Sequence, residues 1–216
     1  MLELGLKTLL GYLLGSIVGA LVVGHFRGVD IRTMGSGNAG GTNALRTQGF
    51  AFAAATVVID VGKGWIAARW LPGLEIPGVA ADPAVARGWL TACCAAAAVA
   101  GHVWPMWHGF RGGKGGATLA GVLLALAPEL LVIALIAWFL VALLTGYVGL
   151  ATVTAAVAVA AASWFSPLAT PPWLAFTLAM ALLVGWAHRD NFVRIRAGTE
   201  VRLRKLWLFR PRDSGR

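Results

Sequence analysis

The sequence predicts an all-α polytopic membrane protein with seven transmembrane helices, its N-terminus outside and its C-terminus in the cytoplasm. Three observations carry this expectation. Of 216 residues 58% are hydrophobic and only 12% charged, and the mean hydropathy is +0.75, values that a water-facing surface does not accommodate. Apolar runs of helical length recur along the chain, separated by short stretches of glycine, proline or basic residues. Most basic residues lie between and after these runs, giving a net charge of +9 in the distribution that the positive-inside rule describes.

A bilayer core of about 30 Å needs roughly 20 apolar residues as helix. The candidate spans are 3–24, 50–71, 88–108, 115–127, 128–145, 147–165 and 171–188. The first begins near Met1 and has no small-residue cleavage site, so it reads as a retained span. The fourth is short, and 115–145 could instead be one long kinked helix. Charge chooses between the two. After His188 come nine Lys or Arg residues, a tail that belongs in the cytoplasm. Placing Arg27, Arg32, Arg46, Arg111 and Lys114 there as well requires an even number of crossings between Lys114 and His188, hence a break near Pro128. Proline suits the first turn of a helix, and Glu129 suits its positive end. Lys7, Arg69 and Arg87 then fall near the outer face, and Lys63 within a span. The chain reads as one domain, 1–216, with a basic cytoplasmic tail at 189–216.

Cys93 and Cys94 are adjacent in an alanine-rich run, which is neither a redox pair nor a metal spacing, and four scattered histidines offer no ligand set. No metal is expected. The ten tryptophans suit an interfacial belt better than a base-stacking surface, so no nucleic acid partner is expected.

Three connectors are richer than helix-joining requires. In GSGNAGGTNALR, residues 35–46, four glycines, Gly40 among them, interleave with Ser36, Asn38, Thr42 and Asn43 before Arg46. Such a backbone can wrap an anion, or can simply be a pliant turn. In GFRGGKGGAT, residues 109–118, there is no acidic side chain. A nucleotide-binding loop would need glycine at His108 and a hydroxyl at Gly115, so that reading fails. What remains is Gly112, Gly113, Gly115 and Gly116 offering amides ahead of a helix N-terminus, with Lys114 as a point charge. In HRDNFVRIRAGTE, residues 188–200, a continuing helix would put His188 and Asn191 on one face. Within spans, Asp60 and Lys63 are three apart and could neutralise one another or touch substrate, and His102 joins them as a buried polar candidate. Basic, glycine-rich segments gathered at one membrane face describe a pocket for phosphate groups beside hydrocarbon, suited to joining a phosphorylated metabolite to an acyl chain.

The segments GSGNAGGTNALR, DVGKG, GHVWPMWHGFRGGKGGAT, GYVGLATV and HRDNFVRIRAGTE resemble, in order and spacing over residues 5–205, the signature segments of the bacterial acyl-phosphate:glycerol-3-phosphate acyltransferases. The resemblance implies transfer of a fatty acyl group from acyl phosphate to the 1-hydroxyl of sn-glycerol 3-phosphate, giving lysophosphatidic acid and phosphate in phospholipid synthesis. It implies no cofactor and no direct use of acyl-CoA or acyl carrier protein. It also implies a bacterial inner-membrane location, a site facing the cytoplasm, and membrane lipid but no obligate protein as partner. Carried onto this chain, it makes Ser36, Arg46, Lys114, His188 and Asn191 catalytic. Gly112, Gly113, Gly115 and Thr118 belong to a glycerol-phosphate loop. Asn38, Gly40, Thr42, Asn43, Lys63 and His102 are further phosphate-binding candidates, and Asp60 and Glu200 are structural. Ala39 and Gly41 stand where proline and alanine are expected, and Gly149 and Thr152 where serines are expected. A small anion transporter is the alternative; it would favour polar residues near the midplane and paired halves, whereas here the signals cluster at one face and no repeat is visible.

Overall fold

The computed structural model describes residues 1–203 and 207–209. Arg204, Lys205, Arg210, Arg212 and Arg216 of the expected basic tail lie outside the described residues. Among the described residues the fold is entirely helical, without a strand. In order the helices are α1 (Leu2–Gly15), α2 (Gly19–Arg27), α3 (Gly41–Thr47), α4 (Phe50–Arg69), α5 (Arg87–Val103), α6 (Gly116–Leu126), α7 (Pro128–Thr145), α8 (Val148–Ser163), α9 (Pro171–Ala187) and α10 (Arg189–Arg196). By length and apolarity α4, α5 and α7 can each cross a membrane. The bent pairs α1–α2 and α9–α10 pass the same test as pairs, and α6 and α8 are shorter apolar helices.

The expected break falls at Ala127, with Pro128 opening α7 and Glu129 in its first turn. The span expected over 3–24 is broken instead, α1 and α2 meeting at 44°. Close packing lies behind this geometry. A Cβ on Gly15 would lie 2.1 Å from the carbonyl oxygen of Ala98, and one on Gly101 would lie 2.2 Å from that of Tyr12. Glycines thus let α1 and α5 approach to backbone contact, as small residues do in membranes. The Ser16 hydroxyl donates back to the Tyr12 carbonyl at 2.9 Å. The main-chain groups freed at the break bond to α4: Lys63 Nζ donates to Ile17 O at 2.8 Å, and Gly19 N donates to Asp60 Oδ1 at 3.0 Å.

α5 stops at Val103, short of the expected 108, because the residue before Pro105 is driven from helical angles, and Trp104 has φ −122° and ψ 69°. The continuing helix expected beyond 188 bends by 49°, with His188 as the junction. The 35–46 stretch ends in the short helix α3, which its glycines concealed.

At the other end of the bundle, Glu3 accepts from Lys7 Nζ at 2.8 Å and from Arg87 at 2.8 and 2.9 Å. Lys7 also donates to Pro72 O at 2.9 Å. The core is a cluster from α4 to α9 that includes Val99, Leu123, Leu130, Phe176 and Val184.

Candidate active site

The helices enclose a cavity of about 780 Å³ with two unlike ends. One end is polar, lined by Ser36, Asn38, Gly40, Thr42, Asn43, Arg46, Asp60, His102, Lys114, Gly115, His188, Asn191 and Glu200. The other is apolar, walled by Leu123 and Leu124 of α6, Leu131, Leu135, Trp138 and Phe139 of α7, and Ala156 and Val159 of α8. Three connectors far apart in sequence therefore meet in one place. Lys63, Gly112, Gly113 and Thr118, also expected to bind substrate, do not line it.

Each absence has a local cause. The Gly112 and Gly113 amides donate to Val103 O at 3.2 Å and His102 O at 3.0 Å, so they hold the loop in place. The uncommitted amides are those of Lys114 to Thr118, which take no carbonyl partner among the described residues, as the first turn of a helix leaves them. They gather at the N-terminus of α6, where the helix dipole attracts anions. Gly115 turns the chain there with φ +83°, an angle that glycine alone adopts freely. Thr118 is fully buried where α6 meets α4, its backbone carbonyl filling the place a Cβ on Gly64 would take. Lys63 spends its donors on Ile17 O, Asp60 Oδ1 and His102 Nδ1. Asn43 lines the cavity but is similarly committed. Its Oδ1 accepts from Ser36 N at 3.0 Å, and its Nδ2 donates to Ile31 O and Met34 O at 3.2 and 3.0 Å. It shapes the loop that presents Ser36.

Lys114 bonds the side-chain oxygen of Asn191. Asn191 Nδ2 in turn donates to Glu200 Oε1 at 2.7 Å, and Arg194 Nε donates to Glu200 Oε2 at 2.6 Å. This chain orients Asn191 and links α10 to the glycine loop. Desolvation, with Arg194 nearby, pushes the Lys114 ammonium down to about 8. His188 is buried, and its Nδ1 lies 2.8 Å from Val184 O. A carbonyl only accepts, so Nδ1 carries the proton and Nε2 of the neutral ring is an acceptor. Arg46 donates to Val201 O at 3.0 Å, a contact that draws the segment after α10 across the polar end. The two carboxylates lining the cavity, Asp60 and Glu200, are both paired with cations, so its polar end favours anions.

Other contributors were not singled out from sequence. Arg32 pairs with Asp30 at 2.8 Å and donates to His108 O at 2.9 Å, tying the first loop to the second. The Asp30-x-Arg32 spacing was the available signal. Trp138 Nε1 donates to Thr152 Oγ1 at 3.1 Å, joining α7 to α8 over the cavity. An exposed-looking tryptophan in an apolar helix gave no such signal. Among the described residues no three His, Cys, Asp or Glu side chains are grouped to hold a metal.

A helical membrane protein with a cavity that joins amides, lysine and arginine to an apolar wall from α6–α8 suits a phosphorylated amphiphile. Residues 6–198 match the family model described as glycerol-3-phosphate acyltransferase. A glycerol-3-phosphate acyltransferase of Laribacter hongkongensis is 42% identical over 205 residues, covering 91% of this chain and 94% of that protein. One of Neisseria meningitidis serogroup B is 40% identical over 194 residues, covering 89% and 93%. Crystal structures of PlsY (YgiH), an integral membrane glycerol 3-phosphate acyltransferase, match at 30% identity. The glycerol 3-phosphate form gives a TM-score of 0.81 and the lysophosphatidic acid form 0.79, each covering 92% of this chain and 94% of that one. The chain belongs to the glycerol-3-phosphate acyltransferase family and is an acyltransferase of the PlsY type. Phospholipid synthesis follows from that membership, and the transporter alternative gives way to it.

Proposed function

We propose that the chain transfers an acyl group from acyl phosphate to the 1-hydroxyl of sn-glycerol 3-phosphate, releasing lysophosphatidic acid and inorganic phosphate. The observation that carries this reading is the single cavity in which Ser36, Arg46, Lys114, His188 and Asn191 stand at the polar end and α6–α8 wall the other. Two phosphates fit the chemistry of the polar end. One meets Lys114 and the free amides of α6, and the other meets Arg46 and Ser36. The hydroxyl oxygen attacks the acyl carbonyl carbon, the bond from that carbon to the phosphate oxygen breaks, and phosphate leaves with the electron pair. The hydroxyl proton passes to a substrate phosphate oxygen, while His188 Nε2 accepts a hydrogen bond that aims the hydroxyl. Positioning and charge stabilisation supply most of the rate, and no cofactor takes part.

The proposed topology has seven spans, the N-terminus outside and the site at the cytoplasmic face of a bacterial inner membrane. Its support is the break at Pro128 and the distribution of Lys and Arg. The deciding experiment mixes detergent-purified protein with glycerol 3-phosphate and, in turn, acyl phosphate, acyl-CoA or acylated carrier protein. Phosphate release and lysophosphatidic acid only with acyl phosphate support the reading, and turnover with either other donor overturns it. His188→Gln, which keeps an acceptor at the same reach, should retain measurable turnover with little change in the pH profile. Complete loss of turnover with substrate binding retained would instead make His188 the base.

A further inference from the structure

Lys63 is almost fully buried and lies outside the cavity, yet it sits at the centre of a polar cluster between four segments. Its ammonium has three protons and three acceptors: Ile17 O at 2.8 Å, Asp60 Oδ1 at 2.9 Å and His102 Nδ1 at 2.8 Å. Asp60 Oδ1 also accepts from Gly19 N, so the pair clasps both sides of the α1–α2 break. A histidine nitrogen that accepts from an ammonium leaves the ring proton on the other nitrogen. That other nitrogen, Nε2, lies where a Cβ on Gly113 would be only 2.1 Å away, and the Ala39 carbonyl is 3.0 Å from the same point. The carbonyl of His102 accepts from Gly113 N. Gly113 is thus gripped by the ring and carbonyl of His102 on α5 and by the first loop, and the next residue is Lys114.

We infer that Lys63, with Asp60 and His102, is a positioning unit. It fixes the His102 ring against Gly113 and, through it, sets where Lys114 and the amides opening α6 stand relative to the 36–43 loop. Lys63 itself does not line the cavity, and the unit acts through Lys114. A pair that merely neutralised its own charge would need neither the third bond to His102 nor the contact of that ring with the glycine loop. Burying two charges is costly and often no better for stability than an apolar packing, so a role in placement gives the cluster a reason to persist. The inference rests on the reading that Lys114 holds a substrate phosphate.

The experiment has two readouts. Hydrogen exchange on folded Lys63→Gln protein, checked by its melting transition in detergent, should show about tenfold faster exchange at Gly19 and Gly113, with α7 and α8 unchanged. If Lys63→Gln does not fold, the Asp60→Asn/Lys63→Gln pair, which removes both charges but keeps hydrogen-bonding groups, is measured in its place. Unchanged exchange at Gly113 overturns the inference whatever the activity. The second readout is a double-mutant cycle on kcat/KM. Lys63→Gln should raise KM for glycerol 3-phosphate about tenfold or more, and this effect should vanish in a Lys114→Ala background, since residues acting as a unit are non-additive. Equal effects in both backgrounds overturn the inference and leave the function intact. Absence of product from the wild type in the same assay overturns the proposed function and the cycle's premise together.

Discussion

Lys114 carries its charge in a surrounding that disfavours it, with an ammonium pushed down to about 8 by desolvation and by Arg194. A lowered lysine pKa means the cation is present below about pH 8 and lost above it. The profile of kcat/KM reports the free enzyme, so kcat/KM for glycerol 3-phosphate should fall as pH rises through about 8. Lys114→Arg, charged throughout, should flatten that limb even where its overall rate is lower. Gly149 offers a second test at this scale. A Cβ there would lie 2.8 Å from Asn191 Cγ, so glycine is what lets Asn191 rest against α8. Gly149→Val should displace Asn191 from Lys114 and lower kcat/KM about tenfold, a loss of roughly 1.4 kcal/mol in transition-state binding. A rate equal to wild type would show that Asn191 has room to spare. The sequence singled out Ser36, Arg46, Lys114, His188 and Asn191, which the fold brings to one cavity, because such side chains are scarce in an apolar chain. The committed state of Asn43, Lys63, Gly112 and Gly113 was not, because hydrogen-bond partners distant in sequence use up donors that the residue types alone leave free.

At the level of the helix, close backbone approach decides most of the packing. Gly101 on α5 faces Tyr12 O, Ser16 N and the Gly15 carbonyl carbon of α1. Gly101→Val should force the two apart and cost about 1–3 kcal/mol or more of stability, as overpacking does, which a lower melting temperature in detergent would show. Gly62, with nothing near its Cβ position, serves as the control and should tolerate alanine. Helix existence was readable from hydropathy, and the α6–α7 break from charge and Pro128. The break within the first span was not, because Ser16 to Val18 contain no proline and their freed groups are satisfied by α4 side chains more than forty positions away. Helix α3 was hidden by Gly41 and the glycines that precede it, whose low helix propensity is overridden by packing of Ala44 into the cluster with Val18 and Ile31.

For the molecule as a whole, the gathering of basic, glycine-rich connectors at a cavity that also has an apolar wall followed from where basic and apolar residues lie along the chain. Which connector touches which did not follow. The meeting of Lys114, Asn191 and Glu200 depends on the 49° turn at His188, which a straight helical reading of 188–200 does not produce. The strap after α10 was equally unforeseen. Its Val201 carbonyl receives Arg46, and Leu203 N donates to Gly146 O at 2.8 Å.

The shortness of α6 bears on which lipids the enzyme handles well. From Gly116 to Leu124 is a rise of about 12 Å, less than half of a hydrocarbon layer of about 30 Å. Leu135 and Phe139 border the cavity and are about half exposed on the outer side of α7. Under the proposed reaction, a fatty tail that outgrows this depth would pass between these side chains into the surrounding bilayer and not into water. Extending the donor by successive methylenes should therefore lower KM until the slot is full and change it little afterwards. A donor series assayed in nanodiscs would show that plateau, whereas a sealed pocket would reject the longer members outright.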